Sequence, residues 1–113
     1  MVDPKDRYIA EATEHGACAE SGDFNKGNAA YDRMMATLAE LRGRADRGEA
    51  VLTELLNHPN GWVRLYAATH LLPLRVELAS QVLGDLASGP QSEIEFSATM
   101  VLQEWAAGRL NVP

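Results

Sequence analysis

Apolar residues recur at intervals of three and four along most of the chain. In one segment they fall at Tyr31, Met34, Met35, Leu38 and Leu41. This spacing places them on one face of an α-helix, with polar residues on the opposite face. No segment alternates apolar and polar residues for long, and Ala, Leu, Glu and Arg, all strong helix formers, dominate. The pattern therefore predicts an all-α protein.

Glycine and proline residues divide the chain into segments of helical length. We predict six helices, at about 4–21, 25–42, 47–57, 61–72, 73–87 and 91–107. Asp3 is expected to cap the first helix, with Pro4 at its first position. Gly27 and Gly84 fall inside predicted helices, where each costs about 1 kcal/mol relative to Ala.

A shift of 31 residues aligns two helix–turn–helix segments of the chain. It matches Val51-Leu52 with Val82-Leu83, Leu55 with Leu86, Pro59 with Pro90, Val63 with Ile94, Leu65 with Phe96, Ala67 with Ala98, and Leu71 with Leu102. Two amphipathic helices of similar length always align in part, but the proline shared by both turns favours a true repeat. Helical pairs that repeat at about this interval are typical of α-solenoids.

The segment 52–72 resembles a HEAT repeat. Pro59 lies in its turn, Val63-Arg64 opens its second helix, and the small pair Ala67-Ala68 precedes Leu71. In that family the arginine often lies against the turn carbonyls or an acidic neighbour. The second copy is weaker, because Glu95 stands where the first has the arginine. The resemblance implies a short right-handed α-solenoid of antiparallel helix pairs, HEAT-like, with about six helices.

More narrowly, residues 24–108 resemble a small bacterial family described only as a domain of unknown function, number twenty-nineteen in its series. The most specific part is the run Val63-Arg64-Leu65-Tyr66-Ala67-Ala68-Thr69-His70-Leu71-Leu72. This resemblance implies a HEAT-like fold and carries no catalytic residue with it. We expect one helical-repeat domain over 1–113, with a capping helix at 1–22, a first helix pair at 23–57 and HEAT-like helices at 58–113.

Charge and composition exclude several classes of protein. The 113 residues carry a formal net charge of −6, which argues against a nucleic-acid binder. No stretch approaches the roughly 18 apolar residues of a membrane span, and the N-terminus does not look like a signal peptide. The single Cys18 cannot form an internal disulfide framework. We therefore expect a soluble, acidic, cytoplasmic protein.

Catalytic and cofactor motifs do not occur in the sequence. It contains no G-x-S-x-G, H-E-x-x-H, C-x-x-C, P-loop or G-x-G-x-x-G pattern. We predict no catalytic residue, no cofactor and no metal site, and expect a protein that is not an enzyme. His15 and Cys18 could offer two ligands from one helix face, but a structural metal site needs about four. His58 is expected to interact with a helix C-terminus.

Helical-repeat arrays mostly bind other macromolecules through an extended face. Trp62 follows the polar turn Asn60-Gly61, where a first helical turn normally faces solvent, and tryptophan is enriched at binding hot spots. Packing of Trp62 across the turn onto the next repeat is the alternative. Trp62, Glu93 and Glu95, around the two repeat turns, are the candidate partner-binding residues.

Three functions remain open from the sequence. The first is a protein-binding module or scaffold, which could be a homodimer that buries a terminal helix. The second is a bacterial immunity protein or antitoxin, whose acidic surface would mask a basic toxin. The third is an enzyme or small-ligand protein with a site near His70, although a buried, hydrogen-bonded histidine is the simpler interpretation.

Overall fold

The structure, a computed structural model, describes residues 2–90 and 92–113. These residues form six α-helices: α1 (Pro4–Ser21), α2 (Phe24–Arg42), α3 (Glu49–Leu55), α4 (Gly61–Leu71), α5 (Val76–Ala87) and α6 (Ser92–Ala106). The described part of the chain contains no strand, so the prediction of an all-α protein is confirmed. Within it, no helix has both the length and the apolar character needed to cross a membrane.

Three of the helices are capped at their N-terminus by a side-chain oxygen that accepts a hydrogen bond from a first-turn N–H group. Asp3 accepts a hydrogen bond from the backbone N–H of Lys5 at 2.8 Å, and Asp23 accepts one from Lys26 at 3.2 Å. Asn60 does the same for the N–H of Trp62 at 2.8 Å. Each bond satisfies a first-turn donor that has no partner within its helix. The predicted cap at Asp3 is therefore confirmed.

The predicted start of α5 at Pro73 is wrong. The backbone N–H groups of Leu74 and Arg75 both donate to the carbonyl oxygen of Leu71, at 2.9 and 2.8 Å. Pro73 therefore lies in the turn that closes α4, and α5 begins only at Val76. The predicted start of the last helix at Gln91 lies outside the described residues.

Helix α3 is shorter than predicted at both ends. Arg47 and Gly48 have φ angles of 59° and 84°, a left-handed conformation that a right-handed helix cannot include. Asp46 stabilises this loop by accepting hydrogen bonds from the N–H groups of Gly48 and Ala50 at 2.9 and 3.0 Å. Beyond Leu55 the backbone makes tighter bonds between residues three apart, which end the α-helix.

The chain divides into two compact units, Met1–Val51 and Leu52–Pro113. In the first unit, α1 and α2 pack side by side. Polar contacts join Arg7 to Glu40, Glu11 to Thr37 and Glu14 to Arg33. Residues further along α1 thus meet residues further back along α2, so the two helices are antiparallel.

The core of this first unit is formed by one apolar stripe from each helix. The side chains that are 0% exposed are Tyr8, Ala12, Ala30, Met34, Leu38 and Leu41. Tyr31, predicted on the same stripe, is 43% exposed and lies at its edge, where its ring is 5.5 Å from that of His15.

In the second unit, α5 packs against α4 and α6, and α4 also contacts α6. Helices α4 and α6 begin at Gly61 and Ser92, so the 31-residue shift superimposes their first residues. Ala67 and Ala98, matched by that shift, are both 0% exposed. The HEAT-like class, its handedness and the domain division at 22 and 57 stay predictions.

Replacing Ala67 or Ala98 with Leu is expected to overpack this unit. Both side chains are fully buried, so added methylenes must displace packed neighbours, and we expect a loss of about 1–3 kcal/mol in the free energy of unfolding. Ala36→Leu is the control, because Ala36 lies in α2 and is exposed. Urea denaturation measures all three variants. Equal stability of the Ala67→Leu and Ala36→Leu proteins would contradict the packing role.

The two helical glycines are expected to respond in opposite directions to alanine. A Cβ at Gly84 meets nothing within 4 Å, whereas a Cβ at Gly27 would lie 3.0 Å from the Cβ of Cys18. Gly84→Ala should therefore raise stability by roughly 0.5–1 kcal/mol through helix propensity. Gly27→Ala should lower it, because the Cβ of Cys18 is fixed to its backbone and α1 and α2 must separate. Thermal denaturation of both variants tests this, and stabilisation by Gly27→Ala would refute the close contact.

Candidate protein-binding face

Helix α6 carries an exposed row of residues on the side that faces away from its unit. The row, here called the outer stripe, consists of Glu93, Phe96, Met100 and Gln103 in α6 and Ala107 directly after it, all exposed. They follow one another at alternating intervals of three and four, the spacing of a coiled-coil seam. Phe96 is 67% exposed and Met100 is 39% exposed. An exposed phenylalanine beside an exposed methionine is typical of a surface that contacts another protein.

The opposite side of α6 is buried. Ile94 is 3% exposed and Ala98 is 0% exposed, which is the face that α6 turns towards its own unit. The helix therefore has apolar residues on both sides, although only one side is covered. Soluble helices at a protein surface usually keep apolar residues on one side only.

The two segments aligned by the 31-residue shift differ in the exposure of one matched pair, Leu65 and Phe96. Leu65 is 2% exposed, whereas Phe96 is 67% exposed. The shift matches these two residues in the sequence, and only Leu65 is covered in the structure. The same position is covered in α4 and uncovered in α6.

Charges lie at both ends of the outer stripe. Glu93 and Glu95 are exposed in the first turn of α6, where the helix dipole favours negative charge. At the other end, the Nε of Arg109 donates to Glu104 at 2.7 Å, and its second nitrogen, Nη2, donates at 3.2 Å. The hydrogen bond from Arg109 lowers the pKa of the Glu104 carboxyl. The stripe is thus acidic at its start and has an arginine at its end.

Trp62 was a candidate partner-binding residue, but in the structure it is buried. Its side chain is 6% exposed, and its indole ring stacks on Tyr66 with centroids 6.0 Å apart. The indole Nε1 is buried without an acceptor. The aromatic residue one turn further along α4 is the signal that could have indicated burial. Of the three predicted partner-binding residues, Glu93 and Glu95 remain at the surface.

Arg64 has a structural role in the turn before α4. Its Nη1 donates to the carbonyl oxygens of His58 and Pro59, at 2.6 and 3.0 Å, as the HEAT resemblance implies. The Nδ1 of His58 accepts from the N–H of Asn60 at 3.0 Å, so this ring atom holds the turn as an acceptor. Arg64 also borders a cleft of about 370 Å³, whose other walls include Leu56, Val82, Leu86 and Ile94.

The other histidines and the cysteine were the candidates for chemistry. His70 is 5% exposed, and burial leaves a substrate no direct approach to its ring. Burial lowers the pKa of the His15 ring. His15 and Cys18 border a cleft of about 270 Å³ in the first unit. Among the described residues, no group of three or more His, Cys, Asp or Glu side chains is arranged to hold a metal ion.

Comparison with known proteins identifies a family but no characterised relative. The family described as Domain of unknown function (DUF2019) matches residues 8–105. No curated protein matches the chain, and no solved structure does. The family match begins within α1, earlier than the resemblance over 24–108 predicted, and includes the described helices of both units. The chain belongs to the DUF2019 family.

Proposed function

We propose that this protein is a non-enzymatic protein-binding module whose contact surface is the outer stripe of α6. The observation that carries the proposal is the exposure of Phe96, 67% of whose side chain faces solvent. Its equivalent in the other repeat copy, Leu65, is 2% exposed. A position that is covered in one copy and uncovered in the other is a natural place for a second protein to pack.

The energetics of the stripe support this proposal. Burial of a phenylalanine side chain contributes about 1.5–3 kcal/mol relative to leaving it in water. Met100 lies one turn away and adapts its shape to the surface it meets, because its side chain is unbranched and flexible. Together they offer a small apolar centre, and polar Glu93 and Gln103 lie beside it in the same stripe. An apolar centre with a polar rim is the usual anatomy of an interface.

An immunity protein or antitoxin is the alternative that the charges favour. Glu95 directly precedes Phe96, Glu93 lies three residues before it, and both are exposed. The chain has a net charge of −6. Such a surface would attract a basic toxin and accelerate association at low ionic strength. Binding of this kind weakens as salt concentration rises, because added ions screen the charges.

Phe96→Glu and Met100→Glu are expected to release the bound protein. Each places a charge at the centre of the proposed contact, and we expect at least about a tenfold loss of affinity. Affinity capture from a lysate of the source organism, with quantitative mass spectrometry, measures the stoichiometric partner. Phe24→Glu is the matched control, since Phe24 lies in α2 and is 76% exposed.

Two checks are needed to interpret this experiment: that Phe96→Glu is folded, and that Phe24→Glu still binds the partner. Phe96→Glu must retain the helical circular dichroism and the melting temperature of the wild type, which its exposed position leads us to expect. Retention of the partner by folded Phe96→Glu, or an equal loss with Phe24→Glu, would refute the assignment to α6. Loss of binding in high salt and with Glu95→Lys would favour the toxin-masking alternative.

A further inference from the structure

We infer that the outer stripe of α6 pairs with the same stripe of a second copy of this chain, in an antiparallel, twofold arrangement. This inference rests on the proposed function, because it names the partner of the same face. It follows from self-complementarity: a stripe can pair with itself about a twofold axis only if its two halves match each other in size and charge. The outer stripe meets both conditions.

The sizes match when the axis passes near Met100. Antiparallel pairing then brings Phe96 of one copy opposite position 104 of the other, beside Gln103 and three residues before Ala107, because residues four before and four after Met100 lie opposite each other. Ala107 is small and exposed, so it leaves room for a phenylalanine ring. The two methionines meet at the axis. The intervals of three and four along the stripe also suit two helices that cross at about 20°.

The charges match in the same register. Glu93 lies at the start of the stripe, and antiparallel pairing places it beside the end of the other copy's α6, where Arg109 lies. The side chain of Arg109 is 67% exposed even while it pairs with Glu104, so its guanidinium can receive a second carboxylate. A parallel arrangement would instead place Glu93 against Glu93. Antiparallel pairing also brings the positive start of each helix to the negative end of the other.

The expected dimer is weak and reversible. One helix from each copy gives a contact at the small end of the range for specific interfaces, and each copy carries a net charge of −6. We therefore expect a dissociation constant on the order of 100 µM. Moderate salt should strengthen the dimer by screening the repulsion between the two acidic chains, whereas it weakens binding to a basic protein.

Sedimentation equilibrium between about 5 and 500 µM protein tests the inference, over a range that spans the expected midpoint. The wild type should pass from monomer to dimer, and Phe96→Glu should stay monomeric throughout. Phe24→Glu should dimerise like the wild type, because the exposed Phe24 lies in the other unit. A wild type that stays monomeric, or a Phe96→Glu protein that dimerises normally, would overturn the inference.

A charge exchange tests the antiparallel register. Glu93→Arg and Arg109→Glu should each weaken the dimer by about threefold to tenfold, since each puts like charges together between copies. The double variant restores opposite charges and should return to within about twofold of the wild type. A double variant as weak as the two single variants together would show that the register is wrong.

A disulfide placed at the axis gives a second measurement that does not depend on affinity. In a Cys18→Ala background, Met100→Cys should form an intermolecular disulfide under mild oxidation, because the two copies of this position face each other. Ala36→Cys, at an exposed position of α2, should form little. Equal crosslinking of the two variants would indicate random collision and count against the axis at Met100.

The two proposals can fail separately. If the wild type is monomeric but Phe96→Glu still releases a captured protein, the second copy is the wrong partner and the binding face stands. If Phe96→Glu changes neither self-association nor capture, the outer stripe is not a binding face and both proposals are wrong.

Discussion

Short amphipathic helices are stable only when their apolar faces are covered, and this constraint explains most of the structure. Isolated helices of fewer than about 12–15 residues are marginal in water, and α4 has 11 residues. Its stability must come from burial of side chains such as Val63 and Leu71, both 0% exposed. Each helix of a stacked series covers the next one. In α6 one apolar face stays uncovered, at Phe96 and Met100.

In the first unit the same burial is combined with a set of polar contacts that fix direction. The pairs Arg7–Glu40, Glu11–Thr37 and Glu14–Arg33 lie along the α1–α2 contact in antiparallel order. Exposed ion pairs contribute little to stability, so their effect is on register rather than on the free energy of unfolding. A slide of α1 along α2 by one turn would break all of them at once. Burial drives the pairing and the polar contacts select one alignment.

The sequence was sufficient to predict the helices but not the turns that connect them. Periodicity and caps predicted the existence of all six helices, and the beginning of α1 and α4 to the residue. The errors arose at local turns: Pro73 closes one helix instead of opening the next, and the left-handed Arg47 and Gly48 delay α3. These turn conformations do not depend on the spacing of apolar residues, so the apolar pattern could not predict them.

Exposure was the property that the sequence predicted least well. Trp62 was a candidate for partner contact and is buried on Tyr66, whereas the exposed Phe96 was not among the candidate residues. Helical periodicity states which residues share a face, but it does not state whether another element covers that face. That answer depends on how the helices pack against one another. The candidate binding face could therefore be found only in the structure.

Gly27 of α2 packs closely against Cys18 of α1. The reactivity of this cysteine, the only one in the sequence, can therefore report when the two helices separate. The thiol is 5% exposed, and the residue packed against it has no side chain that could move aside to admit a reagent. Cys18 borders the cleft beside His15 but is only 5% exposed, so alkylating agents and oxidants should react with this thiol faster when α1 and α2 part. The rate of thiol modification under native conditions then reports how often α1 and α2 separate. It would report motion in the first unit while the surface of α6 is left untouched.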